Sequence, residues 1–291
     1  MTHRRRSALV GWVFIAPYLL SFITFIVLPV FISLWLAFVQ LDLANKSKSK
    51  FIGVQNFAEV LKDDFFWQAT GATFRYAAMI VPSVIVLGLV IALGLFTMSR
   101  SRETARALIY LPSLLNVAAA GILWQWFFNT EFGLFNFASR RVGLPALPWL
   151  SDKAYAMPAI VIMTLWWTIG ATSMVMLTAL QQIPKAFFEA ASLDGANGWN
   201  TLTRITLPML RPVMFFVFIT TTIAGFQMFG QAMILTGGGP EFSTRGLVQY
   251  MFEMAFNGYR FGYGAAVSWL LFGLIAVFSV LQARVVKRHA A

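Results

Sequence analysis

The sequence predicts an all-α membrane protein of about six transmembrane helices, and three observations carry that prediction. The 291 residues are 59% hydrophobic and only 11% charged, against about 25% charged residues in soluble domains. Six stretches free of Asp, Glu, Lys and Arg are each long enough to cross ~30 Å of hydrocarbon, which takes about 20 residues. They are Ser7–Leu41, Tyr76–Ser99, Ala107–Thr130, Ala154–Pro184, Pro212–Pro240 and Phe261–Ala283. The remaining charge-free runs, Phe51–Ala58 and Val142–Ser151 among them, are too short. Third, these runs do not alternate. Lipid leaves only helices or a closed barrel, because every backbone polar group must be bonded internally, and a barrel reads as alternating strands of about ten residues. One membrane domain over residues 1–291 results, with spans near 11–39, 76–98, 107–129, 157–182, 212–235 and 262–283.

The first span follows Arg4, Arg5 and Arg6. Basic residues favour the cytoplasmic side, so the amino terminus is expected inside. Six spans then return the carboxyl end, with Arg284, Lys287 and Arg288, to the same side. The inner segments hold 12 Lys and Arg against 10 in the longer outer ones, and Arg100, Arg102 and Arg106 share one short inner turn. The first apolar run far exceeds the 7–15 residues of a signal-peptide core, so an uncleaved first helix is expected. Pro17, Pro29 and Pro82 lie inside spans and read as tolerated kinks.

Much chemistry is excluded. There is no cysteine, and the two histidines, His3 and His289, are at the extreme ends. A disulfide, a thiolate metal site and a histidine-based catalytic site are thereby set aside, and no cofactor is expected. None of the seven lysines follows a glycine, so the phosphate-cradling Gly-x-x-x-x-Gly-Lys-Ser/Thr loop is missing. The net charge of +11 is spread between apolar runs rather than gathered on a face, which reads as topology, not nucleic-acid binding.

The outer loops are mixed. The first, near Asp42–Arg75, carries Lys46, Lys48 and Lys50 and ends in Asp63-Asp64-Phe65-Phe66-Trp67, aromatic-beside-charge chemistry suited to the interface. The second, Glu131–Lys153, holds Gly133, Gly143, Pro145, Pro148 and Trp149; the third, Glu241–Arg260, follows the cluster Gly237–Gly239. The longest inner loop is Lys185–Arg211. Helix formers fill Lys185–Leu193 after Pro184, Gly195 supplies a left-handed stop, and a second short helix fits Trp199–Ile205, ending before Pro208. Two readings stand for this element: a hairpin lying in the lipid interface, or a piece that touches another protein.

Glu189-Ala190-Ala191, then Asp194-Gly195-Ala196, then Ile205 and Leu207-Pro208 resemble the EAA motif of ABC-importer permeases, with Leu202 where sugar permeases commonly have Phe. Further stretches resemble the carbohydrate-uptake branch, the maltose and glycerol-phosphate permease type. They include Phe51-Ile-Gly-Val-Gln-Asn-Phe57, Leu111-Pro112, Trp124 through Gly133, Leu235-Thr-Gly-Gly-Gly-Pro240 with Ser243-Thr244, and Phe261-Gly-Tyr-Gly-Ala265. The resemblance covers nearly the whole chain. It implies the type I ABC importer permease fold and a bacterial inner-membrane location. The inner loop then becomes a coupling element docked on a cytoplasmic ATPase, with Phe187, Phe188, Glu189, Ala190, Ala191, Asp194, Gly195, Ala196, Ile205, Leu207 and Pro208 as its ATPase-coupling residues. The implied partners are a second homologous permease, two ATPase subunits and a periplasmic or extracellular substrate-binding protein. For Gly237–Gly239 two readings stand, a flexible helix end and a position near the binding-protein docking surface.

Polar residues inside spans line cavities or bond across helices. In the fifth span, Thr220, Gln227 and Gln231 share one helical face, and Thr221, Gly225 and Met228 the next. In the sugar permeases resembled here, this region and the start of the fourth span form the substrate pocket, to which the fourth contributes Trp166, Trp167, Thr168 and Thr172. Asn116, Gln125 and Ser268 read as packing residues. The expected function is the permease subunit of an ATP-driven, binding-protein-dependent sugar importer, not an enzyme. The alternatives are a non-sugar permease of the same superfamily and a lipid-modifying membrane enzyme. The latter needs clustered carboxylates or histidines, and Glu189 and Asp194, the only inner carboxylates near each other, belong to the motif.

Overall fold

Helices dominate because the apolar runs have nowhere else to bond their backbone. The structure, a computed structural model, describes residues 3–41, 49–98 and 101–290, with side chains over 12–41, 49–98 and 101–284. The side chains of Arg4–Arg6, Lys46, Lys48, Arg100, Lys287, Arg288 and both histidines, used in the topological reading, lie outside the described residues. Helix α1 runs His3–Phe22, passes a π turn at Ile23–Val27 and continues as Leu28–Leu36. A short hairpin follows, β1 (Val39–Gln40) against β2 (Lys50–Phe51), antiparallel with Val39 opposite Phe51. Then come α2 (Gln55–Lys62), α3 (Asp64–Thr97), and α4 (Arg102–Tyr110) with its 3-10 extension Leu111–Leu114. Helices α5 (Val117–Phe127), α6 (Leu134–Arg141), α7 (Lys153–Gln181) and α8 (Lys185–Leu193) complete the first two-thirds. Helix α9 spans Gly198–Phe226. After it lie α10 (Gly230–Leu235), α11 (Leu247–Phe252) with a π turn at Glu253–Asn257, and α12 (Phe261–Ala290).

Among the described residues, α1, α3, α7, α9 and α12 are long and apolar enough to cross a membrane. Taken as one span, the α4–α5 pair, bent by 99°, makes six. The stretch expected as a span over 107–129 thus falls on two helices, Arg102–Leu114 and Val117–Phe127, that meet at a bend. Pro112 starts the 3-10 turn, and the Asn116 side chain caps α5 by accepting from the Ala119 N–H at 2.7 Å. The fifth span also differs from the 212–235 expected. Its helix starts at Gly198, ends at Phe226, and resumes as α10 after a break at Gln227–Phe229.

The short helix expected to stop before Pro208 does not stop. A π turn at Leu202–Thr206 precedes the proline, and the Leu207 N–H bonds the Leu202 carbonyl. Proline inside a helix lacks an N–H and its ring crowds the carbonyl four residues back. Here the ladder has already slipped by one residue, so the helix absorbs it. The same device recurs in α1, where the π turn Ile23–Val27 ends two residues before Pro29.

Contacts divide the chain into two compact units, residues 1–63 with 251–272 and residues 64–250 with 273–291. In the first, no residue of Trp12–Leu36 is buried although the stretch is strongly apolar. Lipid, not water, is the solvent such a helix tolerates. The hairpin is tied to α1 and α2 by Asn56, whose Nδ2 donates to Ala37 O (2.9 Å) and Val39 O (3.2 Å). Arg260 pairs with Glu59, and the Tyr263 hydroxyl donates to Asp63, each at 2.5 Å.

In the second unit α3 packs along α7. Tyr76, Ile80 and Val84 meet Ile160 and Met163, with Trp124 and Phe128 of α5 and Met228 and Leu235 around α10 in the same core. A second cluster toward the inner loop gathers Leu95, Met176, Leu177, Leu180, Ile183 and Leu210. Asn136, fully buried, holds the second outer loop through bonds to Thr130 O (3.2 Å) and to the backbone of Leu147 (2.9 Å each way).

Candidate functional site: a neutral polar cavity and an inner loop

A cavity of about 450 Å³ opens among α3, α7, α9 and α10. Helix α3 gives Tyr76, Ile80 and Val84; α7 gives Thr164, Trp167, Thr168 and Thr172. Helix α9 with the break beyond it gives Thr220, Thr221, Ala224, Gly225 and Gln227, and α10 gives Gln231. Residues 164, 168 and 172 recur every four positions on α7, which places three hydroxyls along one face. At Gly225 α9 faces α3, where an added Cβ would meet Ala77 and Ile80 at an ordinary 3.5 Å. Among the described residues, no charged side chain lines the cavity.

Of the nine residues expected to form a pocket, seven line this cavity: Trp167, Thr168, Thr172, Thr221, Gly225, Gln227 and Gln231. Two do not. Trp166 packs on Trp124 with ring centroids 5.6 Å apart, and Met228 is 1% exposed in the core. The helical break explains Met228. Past Phe226 the periodicity used to place it on a shared face no longer applies. Sequence reasoning missed Tyr76, whose hydroxyl bonds Thr164 Oγ1 at 3.1 Å; it opened a predicted span and was counted only as its boundary.

The break at Gln227–Phe229 borders the cavity, and the bend between α4 and α5 is tied to the cavity wall through Trp167. Trp167 Nε1 donates to the Leu115 carbonyl at 2.8 Å, the backbone group exposed where α4 turns into α5. Three residues on, Gly170 lies against that bend, where a Cβ would be 2.2 Å from Ile109 O. Helix α5 is clamped to α10 by Gln125, which donates to the Ile234 carbonyl, and by Gly121 against Ile234 and Gly230 against Val117. Asn116 and Gln125, read from sequence as packing residues, thus fix backbone at the breaks. A separate cavity of about 520 Å³ beside Phe74, Phe218, Phe226 and Phe278 is apolar. Its Thr222 and Gln282 bond each other at 2.9 Å, so it offers a polar solute little.

The inner loop leaves α7 at Pro184, turns through α8 and reverses at Gly195, whose φ is +72°. The Ala196 N–H bonds Ala191 O (2.9 Å) and the Gly195 N–H bonds Ser192 O (3.2 Å). This is the paired-bond helix stop that a left-handed glycine permits. Asn197 then caps the start of α9 by accepting from the Asn200 N–H at 2.8 Å. Phe187 and Leu193 are 49% and 89% exposed, and Glu189, Ala190, Asp194 and Gly195 are exposed with them. Phe188 points the other way, packing on Phe96 at 6.1 Å, and Ala191 is buried. Ile205, Leu207 and Pro208 belong to α9, half-buried.

The Gly237–Pro240 segment is not a loose helix end. Gln249 donates to Gly237 O (2.9 Å), Thr236 and Thr244 share a hydroxyl bond (2.7 Å), and Thr244 donates to Gly239 O (2.8 Å). Beyond it Glu241 pairs with Lys153, Gln68 donates to Glu241 O (3.1 Å), and Arg75 donates to Ser243 O (3.0 Å).

Apolar spans that enclose an uncharged polar cavity define the membrane-embedded subunit of a transporter. The chain belongs to the family described as binding-protein-dependent transport system inner membrane component, matched over residues 84–290. It is 32% identical to the trehalose/maltose transport system permease protein MalF of Thermococcus litoralis, over 96% of this chain and 94% of that protein. It is 33% identical to the lactose transport system permease protein LacF of Rhizobium radiobacter, over 94% of this chain and 92% of that protein. Its fold is that of a chain in the crystal structure of a bacterial alginate ABC transporter complexed with an alginate pentasaccharide-bound periplasmic protein. The TM-score is 0.86 and the identity 21%, over 98% of this chain and 96% of that one.

Proposed function

We propose that this chain is the permease subunit of an ATP-driven importer for a sugar or sugar derivative, and that the 450 Å³ cavity is its share of the solute path. The carrying observation is the lining: hydroxyls and amides beside one indole, within the volume usual for small-molecule sites, roughly 300–1,000 Å³. Trehalose, maltose and lactose in the relatives' names support a saccharide. Transport, not catalysis, is the reading, since among the described residues no histidine or carboxylate lines the cavity. The coupling residues are Phe187, Glu189, Leu193, Asp194 and Gly195 on the exposed face of the inner loop. Phe188 and Ala191 seat that loop on the spans. The working assembly adds a second permease, two ATPase subunits and a substrate-binding protein.

The amides of Gln227 and Gln231 are the test. Each net hydrogen bond contributes about 1 kcal/mol, and an amide making two to a saccharide accounts for roughly tenfold or more in affinity. Gln227→Ala and Gln231→Ala are expected to lower uptake of labelled sugar into proteoliposomes of the whole importer by roughly tenfold each, with ATPase co-purification intact. Normal uptake by the double variant removes the cavity from the path.

The proposed orientation has both chain ends in the cytoplasm, with Ser151 outside and Ser101 and Ser192 inside. All three are exposed in a chain without cysteine, so single cysteines there report orientation. Ser243, otherwise an outer-loop choice, is 7% exposed and unsuitable. In intact cells an impermeant maleimide is expected to label Ser151→Cys and to spare Ser101→Cys and Ser192→Cys. The reverse pattern inverts the topology.

A further inference from the structure

We infer that the solute carried through this cavity is uncharged, a neutral sugar or polyol, and that uronates and sugar phosphates are rejected. The inference rests on the reading of the cavity as the saccharide path and adds the direction in which its hydrogen bonds run. Thr164 donates to Ile160 O (2.8 Å), Thr168 to Thr164 O (2.7 Å), Thr172 to Thr168 O (3.5 Å) and Thr220 to Phe216 O (2.9 Å). Each hydroxyl has one proton. With that proton spent one helical turn back, these groups turn only lone pairs toward the cavity. Tyr76 spends its proton on Thr164, and Trp167 spends its N–H on Leu115 O.

The donors left to a ligand are therefore few. The Thr221 hydroxyl and the amides of Gln227 and Gln231 line the cavity with no hydrogen-bond partner among the described residues. None carries charge. The nearest cation along α3, Arg75, is absent from the lining and donates to Ser243 O in the outer loop at 3.0 Å. A wall rich in acceptors receives the hydroxyl protons of a sugar. It repels a carboxylate or phosphate, which needs donors or a counter-charge once its water is removed.

The test is thermal unfolding of the whole purified importer, without binding protein, in millimolar maltose, trehalose or lactose against glucuronate, galacturonate or glucose 6-phosphate. Ligands that bind the folded state raise the unfolding temperature. At least one neutral sugar is expected to raise it, the anions are expected not to, and the rise is expected to vanish in Gln231→Ala. A rise with an anion that is also lost in Gln231→Ala overturns the inference and leaves the cavity as the path. No rise with any probe, or a rise that persists in both Gln227→Ala and Gln231→Ala, overturns the cavity reading and the inference with it.

Discussion

Gly170→Ala is expected to lower the stability of the purified chain by about 3 kcal/mol and to cut uptake at least about tenfold. The reason is backbone against backbone. A Cβ on Gly170 would lie 2.2 Å from the Ile109 carbonyl oxygen, 2.9 Å from its carbon and 3.0 Å from the Tyr110 Cα. No side chain can rotate away, so α7 and the end of α4 have to separate. Separation also stretches the Trp167–Leu115 bond one turn earlier on the same face of α7. One variant thus disturbs the packing, the cap on the bend between α4 and α5 and the wall of the cavity. Gly94→Ala on α3 is the control, because nothing lies within 4 Å of its added Cβ; it is expected to be neutral or slightly stabilising. Detergent-solubilised unfolding of the two variants checks this. Equal behaviour of the two would show that the close approach at Gly170 carries no packing energy.

The bend that Gly170 supports also marks where sequence reasoning stopped. Charge-free runs report how much chain lies in lipid, and all six correspond to helical segments, because lipid permits little else. They say nothing about whether a crossing is straight. Ala107–Thr130 reads the same whether or not α4 and α5 meet at 99°. The signals were present in Pro112 and in Asn116, a residue type favoured at helix starts, yet such residues are tolerated in mid-span too. The fifth crossing hid its break at Gln227–Phe229 in the same way, with Gly225 and Gly230 on either side as local hints. Gly195 was legible because a left-handed helix stop has a strong residue preference, and its φ of +72° agrees. Trp167 was legible as a residue near the cavity. Its role was not, since composition cannot distinguish a ring offered to a solute from an N–H spent on a free carbonyl. Phe188 was assigned outward with Phe187; adjacent helical residues point about 100° apart, and the core claimed one of them.

That division within the inner loop leads to the other large effect. Leu193→Glu is expected to leave the isolated permease as stable as before, while ATPase co-purification and ATP-driven uptake fall at least about tenfold. Leu193 is 89% exposed at the end of α8, so its replacement loses no internal contact. Burying a leucine against a partner contributes about 1.5–3 kcal/mol, and a carboxylate carried into the same contact adds a desolvation cost. The loop can transmit force because both ends are fixed. Helix α8 follows α7 after Gln182–Pro184, Phe188 packs on Phe96, and the residues after Gly195 run into α9 without a further break before Phe226. Gly195→Val separates shape from stickiness, since it keeps Leu193 but strains the left-handed reversal by about 1–2 kcal/mol. There is open space around that position, so the strain tilts the end of α8 instead of creating a clash. It is expected to reduce coupling, seen as less uptake per ATP hydrolysed, more than it reduces attachment. Normal attachment and uptake with Leu193→Glu would mean that the exposed face of α8 lies in the lipid interface and touches no ATPase.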